Sequence, residues 1–240
     1  IAAGFGSYLI AERTGGYEVV FTSRIDDRYG FGGTFDTNDD DKYTTDGNPA
    51  TNEALPAPGN WAGLYIGPMG SISLDQALVT FAGGVTDVGG SFSGYNAVEL
   101  HQTKRARITN STLQQNASGT GGQGEPNRDG DLRHEAATIY VRGAHPVIVN
   151  NVIRDNTNAG GGGSIPAINI NVNALSFETQ LDYGRARGGA ERFSQIVENT
   201  GPLVRLNKLD GSQVNGMQIR SEMLQTEVIW DDTDIVHVVN

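Results

Sequence analysis

The sequence predicts an all-β chain built as a parallel β-helix, a solenoid with glycine-rich inserts along one edge. Three observations predict it. Short runs alternate apolar and polar residues with a period of two, a motif with Asn at a fixed place recurs at an interval of about 40 residues, and helical periodicity is nearly absent.

The strands are Ala97 to Leu100, Thr138 to Val141, Ala167 to Ile170, Leu203 to Leu206 and Met217 to Arg220, with a further one over Ile235 to Val239. Period-two alternation turns successive side chains to opposite faces, so each strand is expected to bury one face and expose the other. The best helical candidate is Ala190 to Val197, where Phe193, Ile196 and Val197 share a face between Gly189 and Gly201.

Between the strands recurs an apolar residue, a variable one, an acid or amide, Asn and a small residue. It appears as Leu113 to Ala117, Ile153 to Thr157 and Ile196 to Thr200, at intervals of 40 and 43. Ile108 and Ile148 also lie 40 apart, Leu74 lies 34 before Ile108, and Leu74 to Val79 aligns with Ile108 to Leu113. Asn tolerates the left-handed backbone region. At one corner of successive coils its amide can bond its equivalent one strand spacing away. Asn116, Asn156 and Asn199 are therefore expected to form a ladder. Two-residue hairpin turns joining equal alternating runs, which a sandwich would need, are not found. The repeat exceeds one coil, and the excess sits in Gly83 to Tyr95, Ser118 to Arg133 and Asn158 to Ser164. Those inserts are either functional loops on one edge or entropic padding.

Composition excludes several classes. Seventeen basic against 28 acidic residues give a net charge of −11, which argues against nucleic acid or an anionic membrane as partner. No apolar run is long enough for a membrane helix. The absence of Cys removes disulfides, thiolate metal sites and cysteine nucleophiles. At 37% the hydrophobic fraction suits a narrow core under a large outer surface. The chain opens on Ile1 and closes near a strand, so residues 1–240 are expected to be one segment of a longer polypeptide, with residues 30–60 an acidic, Gly- and Pro-containing insert loop.

The strongest local chemistry is Asp36-Thr37-Asn38-Asp39-Asp40-Asp41. Oxygen ligands at alternate positions (Asp36, Asn38, Asp40) resemble the first half of a Ca2+ loop, with Asp41 and Asp46 available to complete it. Asp41 stands where an EF-hand needs glycine and Gly47 where it needs an acid, so an EF-hand is excluded. The competing reading is a solvated acidic loop. Asn127 to Asp131 repeats the pattern weakly and also reads as a turn. Trp61 and Tyr65 are ligand-binding candidates that could stack on a sugar, against a role filling the end of the core. Asp26-Asp27 and Asp231-Asp232 suggest paired glycosidase carboxylates. Neighbours on a strand face opposite ways, so a turn is the better reading. Arg185 and Arg187 near Asp182 could imitate a lyase base beside a calcium-bound uronate, but Gly188-Gly189 marks this stretch as loop. No convergent catalytic set is visible, and no catalytic residue is assigned.

Val20 to Ser23 followed by Asp26 to Gly33, then Pro56 to Leu64, Ser71 to Asp75 and Trp230 to His237, resembles the right-handed parallel β-helix regions of very large bacterial exoproteins, within the pectate-lyase-like superfamily. The resemblance implies an extracellular or cell-surface setting. Its motifs specify architecture rather than function; with no convergent catalytic set, a structural or adhesive role is expected, with adjacent domains of the same polypeptide or other copies as partners. The alternative is a polysaccharide lyase or hydrolase, or a carbohydrate-binding module, on the exposed face. One fold hosts all of these.

Overall fold

The computed structural model describes residues 1–29, 55–88, 91–118, 134–158, 163–182, 184–185, 188–189, 198–230 and 233–239. The chain visits three sheets in a fixed order. Its first pass is β1 (Ala2–Ala3) in sheet 1, β2 (Tyr8–Glu12) in sheet 2 and β3 (Val19–Phe21) in sheet 3. The second is β4 (Leu64–Ile66), β5 (Ser71–Asp75) and β6 (Ala77–Thr80), followed by a hairpin of β7 (Val85–Val88) and β8 (Ser91–Gly94). Then come β9 (Val98–His101), β10 (Arg105–Thr109) and β11 (Thr112–Gln114), and after them β12 (Ile139–Arg142), β13 (Val147–Val149) and β14 (Val152–Arg154). The fifth pass is β15 (Ile168–Asn171), β16 (Leu203–Arg205) and β17 (Lys208–Asp210); β18 (Met217–Arg220) and β19 (His237–Val239) both return to sheet 1. All strand pairing within the three sheets is parallel. The hairpin is antiparallel. One 3-10 turn, Val172–Leu175, is the helical element among the described residues.

Register stacks like on like. Leu74, Ile108, Ile148 and Val204 form one apolar column. Val79, Leu113, Ile153 and Leu209 form a second. Sheet 1 supplies Ile66, Leu100, Val141, Ile170 and Ile219. These alternate residues are the ones the period-two pattern assigns inward, and nearly all are fully buried in one cluster. The alignments of Leu74 with Ile108, Ile108 with Ile148 and Leu113 with Ile153 are register pairs in the structure.

Sheet 1 departs from the expected one-sided burial. β9 and β15 are buried along their whole length, outward residues included, and so are the first three residues of β12. Both faces of these strands are covered, as parallel sheets tend to be. The polar outward residues therefore sit in a buried layer that alternation alone cannot reveal.

Corners are turned by single left-handed residues. Gln76, Asn110, Asn150 and Leu206, with φ of 55°, 50°, 56° and 58°, occupy the sheet 2 to sheet 3 corner in successive passes. Phe81, Gln115, Asp155 and Gly211 (φ 59°, 53°, 54°, 64°) follow the sheet 3 strands. Asn116 and Asn156 are thus the residues after the left-handed one, not the left-handed residues themselves. Gly83 has a different reason: φ is 88°, and a Cβ there would collide with the Ala117 carbonyl of the next pass.

The predicted inserts lie on the connections β6 to β9, β11 to β12 and β14 to β15, all from sheet 3 to sheet 1. The β17 to β18 connection covers the same step with residues 211–216. The long β15 to β16 connection breaks the single-edge pattern, since it joins sheet 1 to sheet 2. The Ala190 to Val197 helical candidate lies outside the described residues.

Two outcomes test this packing. Ile108→Ala, in the middle of a column, should cost about 2–5 kcal/mol, read as a lower urea midpoint at unchanged slope. Leu206→Asn puts at a half-exposed left-handed corner the residue already present at 110 and 150, and should raise the melting temperature.

Candidate functional site

Sheet 2 carries an open groove of about 510 Å3 on its outer face. Outward residues come from β2, β5 and β10, and the far wall from residues 178–182, 184 and 185 of the β15 to β16 connection. Arg107 and Asp182 line the groove and belong to a charge cluster. Glu12 and Asp75 are register partners on adjacent strands, and Arg107 is the partner of Ser73 one strand further. Arg107 Nε donates to Asp182 Oδ1 at 2.7 Å and Nη2 to Asp182 Oδ2 at 3.2 Å, a bidentate pair with both side chains nearly buried. Nη1 lies 3.7 Å from Asp75 and 3.9 Å from Glu12, beyond hydrogen-bond reach. Three carboxylates surround one guanidinium.

The surplus charge is met by neutral donors. Thr109 Oγ1 and Asn110 Nδ2 donate to Asp75 Oδ1 at 3.1 and 2.7 Å, and Ser73 Oγ donates to Glu12. Asp182 also accepts from the Gly184 N–H at 2.9 Å. The cluster therefore fastens this wall to the sheet through Asp182. Nearer the rim, the Arg185 guanidinium stands 5.0 Å over the Tyr8 ring.

A second polar layer covers sheet 1. Glu99 and His101, both fully buried, are outward residues of β9, and His101 Nε2 lies 2.8 Å from Glu99 Oε2. Glu99 Oε1 accepts from the Asn96 N–H at 2.8 Å. His134 lies edge-on to Tyr140 with Nδ1 4.0 Å from Glu99, and neither of its ring nitrogens has a hydrogen-bond partner among the described residues. Arg220 packs 4.4 Å over Tyr140, bonds Asn169 and donates to the Val141 carbonyl at 2.9 Å. Burial pushes the Tyr140 phenol up, partly offset by the Arg220 charge, and burial lowers Arg220 itself. No group of three or more His, Asp or Glu side chains among the described residues is arranged to hold a metal ion.

Asn116 and Asn156 come together as neighbours on successive passes. Asn156 Oδ1 accepts from both the Asn116 backbone N–H and Nδ2, each at 3.0 Å, and Asn116 Oδ1 accepts from the Ala82 N–H at 2.9 Å. Each amide also reaches back to a strand carbonyl, Asn116 to Val79 and Asn156 to Leu113, both at 3.1 Å. Asn199 is not the third member. It precedes β16, donates to Thr179 Oγ1 at 2.7 Å, and belongs to the wall of the sheet 2 groove. The 43-residue interval misled because the β14 to β17 register is 56, Arg154 facing Asp210.

Sequence reasoning missed a second amide column at the other end of the sheet 3 strands. Asn151 Oδ1 accepts from the Ser111 N–H at 2.9 Å, and Asn207 Oδ1 accepts from Asn151 N and Nδ2, both at 3.0 Å. The pair Asn110-Ser111 against Asn150-Asn151, 40 residues apart, was the available signal.

Trp61 is half-buried against the core and its indole N–H donates to the Thr80 carbonyl at 2.8 Å. Tyr65 lies among Tyr95 and His101, with ring centroids 6.0 and 5.1 Å away. Asp36, Asn38, Asp40, Asp41 and Asp46, like Asn127 to Asp131, Arg187 and Asp231-Asp232, lie outside the described residues. Asp26 sits in a turn and bonds Arg28 Nε at 2.6 Å and Nη2 at 3.0 Å. Burial works to raise its carboxyl, but the hydrogen bonds and charge of Arg28, with a bond from Thr22, hold it below the usual carboxylate range. A general acid needs the opposite shift.

Comparison with protein-family models, curated proteins and solved structures gives no match. No family is assigned on that basis, and the chemistry of the chain rests on its own geometry.

Arg107→Met leaves three facing carboxylates, and should cost about 3–5 kcal/mol in denaturant unfolding at pH 7. The lowered Asp26 carboxyl contributes stability that is present above its unfolded value, ~3.9, and is lost as pH falls through the lower folded value. The stability gap between the parent and Arg28→Met should therefore be open at pH 7 and close progressively below pH ~4, as followed by circular dichroism.

Proposed function

We propose that the chain is a right-handed parallel β-helix segment serving as a structural or adhesive element of a large extracellular or cell-surface bacterial protein, set against adjacent domains or further copies. The observation that carries this reading is the pair of buried amide columns, Asn116–Asn156 and Ser111–Asn151–Asn207. They tie the third pass to the fourth and the fourth to the fifth through side chains that bond backbone groups. The cyclic order of the three parallel sheets, kept from β1 to β18 with the β7–β8 hairpin set aside, supports the solenoid. Arg107 supports a structural role, because its guanidinium is nearly buried, paired bidentately with Asp182 and faced by two further carboxylates. In the same reading the Asp36 to Asp46 loop binds Ca2+ through Asp36, Asn38 and Asp40, with Asp41 and Asp46 completing the site.

A second reading has a specific observation in its favour. Glu12, Asp75 and Arg107 on neighbouring strands meet Asp182 beside an open groove lined by Arg107, Asp182 and Tyr8, a gathering of carboxylates and an arginine that a polysaccharide lyase or hydrolase could use.

Incubation with neutral, uronic and sulfated polysaccharides should release no reducing ends and no unsaturated products; chain shortening abolished by Arg107→Lys would establish the enzymatic reading instead. Asn151→Ala strands the buried Ser111 N–H and Ile108 carbonyl, and should lower stability by about 1–3 kcal/mol per orphaned group. Calorimetric unfolding with a calcium chelator should show a lower melting temperature than with Ca2+, and an unchanged one removes the cation from the reading.

A further inference from the structure

We infer that the cleft at the corner between sheets 1 and 2 binds a neutral oligosaccharide, stacked on Phe177 and hydrogen-bonded by the amides of Gln102, Asn173 and Gln225. The inference rests on the adhesive half of the reading above and supplies its ligand class.

The cleft holds about 610 Å3, and four stretches of chain make its three walls: the corner residues that end β9 and β12, the 3-10 turn with Asn171, Ser176 and Phe177, and residues 222–226 after β18. That volume falls within the ~300–1,000 Å3 of small-molecule sites. Its shape is fixed by hydrogen bonds across all three walls. Asn171 Oδ1 accepts from the Gly143 N–H at 2.8 Å, and Asn171 Nδ2 donates to Glu222 Oε2 at 3.2 Å.

Asn171 is thereby committed, whereas its neighbours are not. Among the described residues the side-chain amides of Gln102, Asn173 and Gln225 have no hydrogen-bond partner, and all three line the cleft. A carboxamide offers a donor and an acceptor in one plane, and a sugar hydroxyl both donates and accepts, so three such groups match a polyol better than an anion or a cation. The lining carries one positive and one negative side chain, Arg142 and Glu222, and so no net charge. That balance disfavours uronates, phosphates and amines.

Phe177 supplies the apolar contact. Its side chain is 50% exposed, and its ring is backed by His145 at 5.2 Å and 30°, which holds the face steady. His145 is tied to Gln180 at 2.7 Å, and burial lowers its imidazole, so no charge stands behind the ring at neutral pH. An aromatic face beside unpartnered amides presents one apolar and one polar side to a ligand, which is how a pyranose ring divides its own surface. The groove over sheet 2 differs on each point. Its charged groups are numerous, and its aromatic, Tyr8, is covered by Arg185.

Isothermal titration of the full chain with cello-, malto-, xylo- and chito-hexaose, and with oligogalacturonate, decides the matter. The expected result is saturable binding of at least one neutral hexaose, weakened tenfold or more by Phe177→Ala and by Gln225→Ala, retained by Phe177→Tyr and unchanged by Tyr8→Ala. Gln225 is exposed, so its variant keeps the test open if Phe177→Ala unfolds. Binding of none of the neutral oligomers at millimolar concentration, preference for oligogalacturonate, or wild-type affinity in Gln225→Ala would overturn the inference. The scaffold reading is judged separately, by product release and by the melting of Asn151→Ala, neither of which involves Phe177.

Discussion

Parallel pairing in register is the constraint on which the rest of the structure depends. Each strand of a sheet lies one hydrogen-bonded spacing from its equivalent in the next pass, so every residue sits above a fixed partner. Inside, this produces unbroken apolar columns such as Leu74, Ile108, Ile148 and Val204. At corners it creates a problem, because ladder bonding stops there while the backbone N–H and carbonyl groups remain buried. Asn116, Asn151, Asn156 and Asn207 resolve it. A carboxamide one residue past a left-handed turn accepts from the N–H of the pass before it and donates to a carbonyl of that pass. One side chain type, repeated in register, closes the backbone accounting at both ends of sheet 3.

The same register that stabilises the core also gathers charge on the outer faces. Glu12, Asp75 and Arg107 are far apart in sequence but lie on three adjacent strands, and Asp182 is brought over them by the β15 to β16 connection. Glu99 and His101 are similarly held beneath Tyr65, Tyr140 and His134. Such buried charge is costly unless fully paired. Here the costs are offset by bidentate geometry in one layer and by bonds from Asn96 in the other. The β15 to β16 connection thereby becomes a wall over sheet 2.

Legibility from sequence followed locality. Strand positions at Val98, Ile139, Ile168, Leu203 and Met217 were readable because period-two alternation is a property of a few adjacent residues. The pairing of Leu74 with Ile108 and of Leu113 with Ile153 was readable because the intervals of 34 and 40 recur within an unbroken stretch. The ladder failed at Asn199, since the long β15 to β16 connection resets the interval and a five-residue motif cannot report that. The cleft at Phe177 was invisible for a related reason. Its walls come from residues near 102, 142, 173 and 225, and no motif spans them.

What the amino-acid order determined alone was the local grammar: β-branched and apolar residues at alternate positions, and the recurrence that lets one pass lie on another. These depend on neighbours in the chain, and neighbours are written in it. Tertiary structure decided which carboxylates share Arg107, which amides are spent on the backbone and which stay free, and that sheet 1 is covered on both faces. Those outcomes depend on distances between passes and on where long connections fold back, and the energy of a charge or an amide is set by what surrounds it in space.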